Sequence, residues 1–96
     1  MPLYVFLGTD GPSGPELRKL HRPAHLAGID ALAANNRLRH AGPLLDESGA
    51  PTGSMVLFEA ASLEEAQRIA GNDPYVVEGV FESWRVNETR IVRGRA

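Results

Sequence analysis

Ninety-six residues, 43% of them apolar, with a net charge of −2, make a single small domain (1–96) that is too apolar for a disordered chain. A chain this size buries only about 60–65% of its unfolded surface, so a second subunit is a natural way to complete its core. The slight acidic balance excludes a general nucleic-acid binder; Arg85, Arg90, Arg93 and Arg95 cluster near the end, but Glu82 and Glu88 dilute them. The absence of cysteine excludes thiol catalysis, disulfides and cysteine-based zinc sites, and fits a reducing compartment. No apolar run approaches the roughly 18 residues of a membrane span. The opening MPLYVFLGTD lacks the basic start of a signal peptide, so a cytoplasmic location without membrane attachment is expected.

In chain order, LYVFLG (3–8) is a short run of β-formers and reads as a buried strand. TDGPSGP (9–15) is a loop by its glycines and prolines. A helical spacing begins at Glu16 with Leu17 and Leu20. Pro23 interrupts it, so the main helix is expected to start near Pro23 and run to Asn35, burying Leu26, Ile29 and Ala33. RLRHAGPLL (37–45) reads as a second strand, DESGAPTG (46–53) as a turn and SMVLFEA (54–60) as a third strand. Ser62 and Glu65 form a capping box before a helix with Leu63, Ala66, Ile69 and Ala70 on its apolar face. Asp73-Pro74 opens a short helix that Gly79 ends, and FESWRVNETRIV (81–92) is the last strand.

The order β-α-β-β-α-β is that of the ferredoxin-like motif: an α+β fold with an antiparallel sheet and helices on one face. The other face of the sheet is left uncovered. Tyr4, Phe6, Met55, Leu57 and Trp84 are its candidate residues, and they favour a homodimer packed sheet to sheet.

Histidine titrates near neutral pH and is the first place to look for proton chemistry. His21 and His25 are four apart, as in a helical metal pair, but Pro23 lies between them and no glutamate sits where a zinc protease needs one, so no metal is expected. On residue type and position alone, His25 reads as a core-edge histidine bonded to a backbone carbonyl. A functional role requires an acid partner, for which Asp10, Asp30, Asp46 and Asp73 compete. Asp73 has its own local duty as a helix cap. Ser54 reads as a strand-start residue or a polar contact, and its surroundings lack the strand-turn-helix setting of a nucleophilic serine. No glycine-rich loop matches a phosphate cradle.

Four stretches in order, RPAHLAGI, NRLRHAGPL, TGSMVLFEAASLEEAQ and NDPYVVEGVF, resemble the successive motifs of the YciI-like (YCII-related) proteins, over Leu3 to Val92. The resemblance implies a subunit of a dimeric α+β barrel, with a candidate active site of a histidine, an aspartate and a nearby serine. Matched by motif, these fall on His25, Asp73 and Ser54, with Arg22, Gly42 and Pro43 in supporting or pocket-lining places. One branch of the family is a dehydrochlorinase acting on a chlorinated hydroxyhydroquinone. The expectation is therefore an enzyme using His–Asp acid–base chemistry on a small molecule without a cofactor; the alternative is a non-catalytic module that binds a small ligand.

Overall fold

Side chains along LYVFLGTD alternate between buried and half-buried, and that alternation sorts the whole sheet into two faces. A computed structural model of the chain describes residues 1–95. Its elements are β1 (Leu3–Asp10), α1 (Gly14–Ala34), β2 (Leu38–Leu45), β3 (Pro51–Glu59), α2 (Leu63–Gly71), the short α3 (Pro74–Val77) and β4 (Phe81–Thr89). The strands form one antiparallel sheet in the order β2-β3-β1-β4, the ferredoxin-like arrangement expected from the element order.

On the covered face, Tyr4 pairs with Phe58 and Phe6 with Val56, and all four are buried with Ile29 of α1, Ala66 and Ala70 of α2 and Tyr75 of α3. On the open face, Val5 lies opposite Leu57 and Leu7 opposite Met55, with Leu3 beside them. Tyr4, Phe6 and Trp84 were expected on the open face and are not there. Trp84 is in register with Gly8 on the helix side, and its ring packs 5.8 Å from that of Phe6. The space between sheet and helices is where large rings bury most area, and the aliphatic residues are left for the open side.

Helix α1 is one continuous helix of 21 residues from Gly14, with Pro23 inside it rather than at its start. Pro15 sits in its first turn, where a missing N–H is harmless. The Gly14 N–H bonds to the Gly11 carbonyl, and a Cβ on Gly14 would lie 2.6 Å from an Asp10 carboxylate oxygen. The helix thus begins where glycine lets it dock against the end of β1. Of the expected burials on α1, Ile29 is buried, whereas Ala33 is exposed and Leu26 is 40% exposed.

The remaining boundaries shift by a few residues. Strand β3 starts at Pro51 because the preceding turn is short: Asp46 accepts from the Ser48 and Ala50 N–H groups and closes it. The last strand ends at Thr89. Helix α2 opens on the Ser62 cap, with Ser62 Oγ accepting from the Glu65 N–H and Glu65 accepting from the Ala61 N–H.

Candidate active site

The site forms where α1 crosses the covered face of the sheet and α3 closes against it. Asp73 is extended, and its carboxylate accepts the Tyr75 N–H at 2.8 Å, capping α3. That cap aims the remaining capacity of the carboxylate at α1. His25 Nδ1 lies 2.8 Å from Asp73 Oδ1 and 2.9 Å from Oδ2. A carboxylate only accepts, so Nδ1 carries the hydrogen and the lone pair of the neutral ring is on Nε2. Among the described residues Nε2 has no hydrogen-bond partner. The partner of His25 is therefore a carboxylate rather than the backbone carbonyl that its position alone suggests.

Tyr75 holds the imidazole from the side, its ring stacked on that of His25 at 3.9 Å between centroids. The Tyr75 hydroxyl donates to the Arg18 carbonyl at 3.3 Å, tying α3 to α1 a second time. Burial pushes the Tyr75 phenol above the ordinary tyrosine value, against the opposing pull of Arg18 and Arg22, so it is neutral beside the imidazole at neutral pH.

A second constellation lies alongside. Arg18 donates to both oxygens of Asp10, from Nε at 2.7 Å and Nη2 at 2.8 Å, and Nη2 also reaches Ser54 Oγ at 3.0 Å. Its guanidinium lies over the Tyr75 ring at 5.1 Å and the Phe81 ring at 5.7 Å. The hydrogen bonds to Asp10 raise the Arg18 pKa, outweighing partial burial, so the group is a fixed cation.

The structure thus brings His25 and Asp73 together and places Ser54 on Arg18, with Arg22, Gly42 and Pro43 lining the same cavity of about 680 Å³. Asp10, one of the aspartates considered for His25, belongs to Arg18; Asp46 caps its own turn. His21 faces Glu78 at 3.7 Å, so the two histidines of α1 turn to different carboxylates. Among the described residues no group of three or more His, Asp or Glu is placed to hold a metal. Arg18 and Tyr75 escaped the sequence reading. With the helix started at Gly14, Arg18, Arg22 and His25 recur at helical spacing on one face, and that pattern would have found Arg18.

An antiparallel sheet in this order with helices on one face defines the ferredoxin-like class used by dimeric α+β barrel proteins, and an antibiotic biosynthesis monooxygenase shares the fold, with a TM-score of 0.58 at 10% identity. Within that class, the chain belongs to the YCII-related domain family, whose model matches residues 2–90. It is 44% identical to protein YciI of Escherichia coli over 86 residues, 83% of this chain and 88% of that one. An uncharacterized protein of Haemophilus influenzae is 39% identical over 84 residues, 81% of this chain and 86% of that one. Among solved structures, the 5-chloro-2-hydroxyhydroquinone dehydrochlorinase of Burkholderia phenoliruptrix AC1100, in complex with 2,5-dihydroxybenzoquinone, superposes with a TM-score of 0.81 at 28% identity, covering 92% of this chain and 93% of that one. No helix among the described residues is long and apolar enough to cross a membrane.

Proposed function

We propose that this protein is an enzyme that moves protons on a small molecule bound in the cavity beneath α1, without a redox cofactor. The observation that carries the reading is the pairing of His25 Nδ1 with Asp73, which leaves Nε2 as the basic nitrogen of a residue lining a cavity of about 680 Å³. That volume suits a substituted ring. Nε2 takes a proton from the substrate; the electron pair left behind forms a new double bond as a leaving group departs, or waits for the proton to return elsewhere. Asp73 stabilises the imidazolium meanwhile, and such acid–base help is typically worth about 10²–10⁴-fold in rate. Ser54, oriented by Arg18, supplies a hydrogen bond to the substrate, with Arg22 and Pro43 shaping the wall. The likeness to a dehydrochlorinase supports this class of reaction.

The test is a panel of hydroxylated and halogenated aromatic compounds, followed by ring-proton loss and halide release, with wild type and His25→Ala. Turnover in wild type that vanishes in a folded His25→Ala variant is the expected result. Equal turnover in both would overturn the assignment.

A second reading has its own observation. His25 bridges α1 to both Asp73 and Tyr75 of the α3 turn, which also suits a brace in a non-catalytic ligand-binding module. Binding without turnover, together with unfolding of His25→Ala, would favour it.

The working unit in either reading is a homodimer in which the open faces of two sheets meet, covering Leu3, Val5, Leu7, Met55 and Leu57. These five half-buried apolar side chains lie side by side on a face that no helix covers, beside Arg85 and Asn87 of β4, and a second sheet would bury them.

A further inference from the structure

The charges around the cavity are one-sided. Arg18, Lys19, Arg22 and His25 all line it, brought there by one stretch of α1, and no Asp or Glu is among its lining residues. Three neighbouring aspartates are already engaged, and Glu16 and Glu47, near lining residues in sequence, do not themselves line the cavity. Asp10 holds Arg18, Asp73 holds His25, and Asp46 is bound within its own turn by Ser48 and Ala50. Lys19 and Arg22 are different: among the described residues neither forms an ion pair. Two cations without an ion-pair partner, added to Arg18 in a cleft with apolar walls and no lining carboxylate, set a positive potential that favours an anion. The apolar walls come from Leu26, Ile29, Val56 and the Tyr75 ring.

A phosphate bound by backbone amides does not suit this place. Before α1, the Gly11 N–H is spent on the Val80 carbonyl and the Gly14 N–H on the Gly11 carbonyl, and Pro12 has none to offer. The available donors are long side chains, and a guanidinium presents its parallel N–H pair to a carboxylate in a matching fork.

We infer that the cavity selects an anion carried on a flat apolar body, a small aromatic carboxylate, with Lys19 and Arg22 holding the charge and Leu26, Ile29 and Val56 the ring. The inference rests on the acid–base reading for its functional meaning, since it names the class of molecule that would face His25 Nε2. Its physical content is a binding preference that can be measured without turnover.

Benzoate and benzamide are nearly the same shape and differ in charge. Binding of each is followed by amide chemical-shift titration, in wild type, in Lys19→Gln/Arg22→Gln and in His25→Ala. Both replaced side chains are exposed, and glutamine is a good helix former, so the double variant keeps its fold. Wild type is expected to bind benzoate at least ~10-fold more tightly than benzamide, with shifts at Tyr75 and Val56, and with an affinity that falls as salt is added. The double variant should lose most of that ratio. Equal affinity for the two probes, binding of neither, an unchanged ratio in the double variant, or inorganic phosphate binding as tightly as benzoate would each overturn the inference. The two readings fail separately: a benzoate preference retained in a protein without turnover sinks the acid–base reading alone, whereas turnover of neutral substrates with no benzoate preference sinks the carboxylate alone.

Discussion

The imidazole of His25 lies flat on the ring of Tyr75, its plane 3° from parallel, while the Tyr75 backbone N–H and the His25 Nδ1 share the carboxylate of Asp73. The same aspartate therefore caps a helix and fixes a histidine tautomer, and the stacked ring blocks the flip that would exchange the two nitrogens. Asp73→Asn can keep the cap, since an amide oxygen also accepts from the Tyr75 N–H. It removes the charge and offers Nδ1 a donor as well as an acceptor. A long-range proton–nitrogen spectrum of the neutral ring should show hydrogen on Nδ1 in wild type and a mixture of tautomers in the variant. The same mixture in wild type would separate Asp73 from the ordering of the ring.

Asp10 and Arg18 form a shielded pair, with side-chain exposures of 7% and 12%. Asp10→Ala leaves the Arg18 guanidinium without its bidentate partner and lets Ser54 turn. Breaking such a pair on one side costs about 3 kcal/mol, far more than an exposed ion pair is worth. Urea denaturation should report a loss of that order. A loss below about 1 kcal/mol would mean that water compensates Arg18.

Ile29 lines both the His25 cavity and a second, apolar one of about 300 Å³ on the far side of α1, walled by Phe58 and Ile69. Ile29→Ala should lose about 2–4 kcal/mol of stability and join the two spaces. Ligands with longer apolar arms should then gain affinity relative to short ones, which a titration series of 4-alkylbenzoates would read. No change in length preference would show that the cavities stay separate.

Glu65 is held below the usual carboxylate range by the Ala61 N–H, and then by Arg37, so its folded pKa lies under its unfolded one. Its contribution to stability is complete above the ordinary glutamate value of about 4.3 and is lost as pH falls through the lower folded value. Urea midpoints of wild type should drop over that acid window, and those of Glu65→Gln should drop less. Parallel curves would remove Glu65 from the acid response.

Leu57 sits on the open face opposite Val5. The proposed sheet-to-sheet pairing predicts that wild type sediments as a dimer and Leu57→Lys as a monomer, with little change in the covered core; a monomeric wild type would overturn the pairing. A Leu57→Lys protein that stays dimeric would place the interface elsewhere.

The helix caps were legible because they are local: Ser62 with Glu65, and Asp73 with the Tyr75 N–H, depend on residues a few positions apart. Element order followed from hydrophobic spacing and glycine and proline signals. The start of α1 was not legible, because Pro23 looks like a helix start whereas its real start depends on Gly14 docking under Asp10, a contact between two elements. Faces were misassigned for Tyr4, Phe6 and Trp84 because a strand's period tells which residues share a face but not which face the helices cover. The Arg18–Asp10–Ser54 group was hidden for the same reason: it joins a strand end, a helix and a second strand, 8 and 36 residues apart in sequence.

Pro23 has one more effect. It lies between the stretch of α1 that carries Arg18, Lys19 and Arg22 and the turn that carries His25, and without an N–H it leaves the Lys19 carbonyl without its helical donor. The two stretches of α1 are therefore joined by one rung fewer than an unbroken helix would have. Each stretch has its own anchor instead, Arg18 on Asp10 and Ser54 and His25 on Asp73, so the tertiary contacts on either side of Pro23 hold in line a helix that its own ladder holds less tightly there.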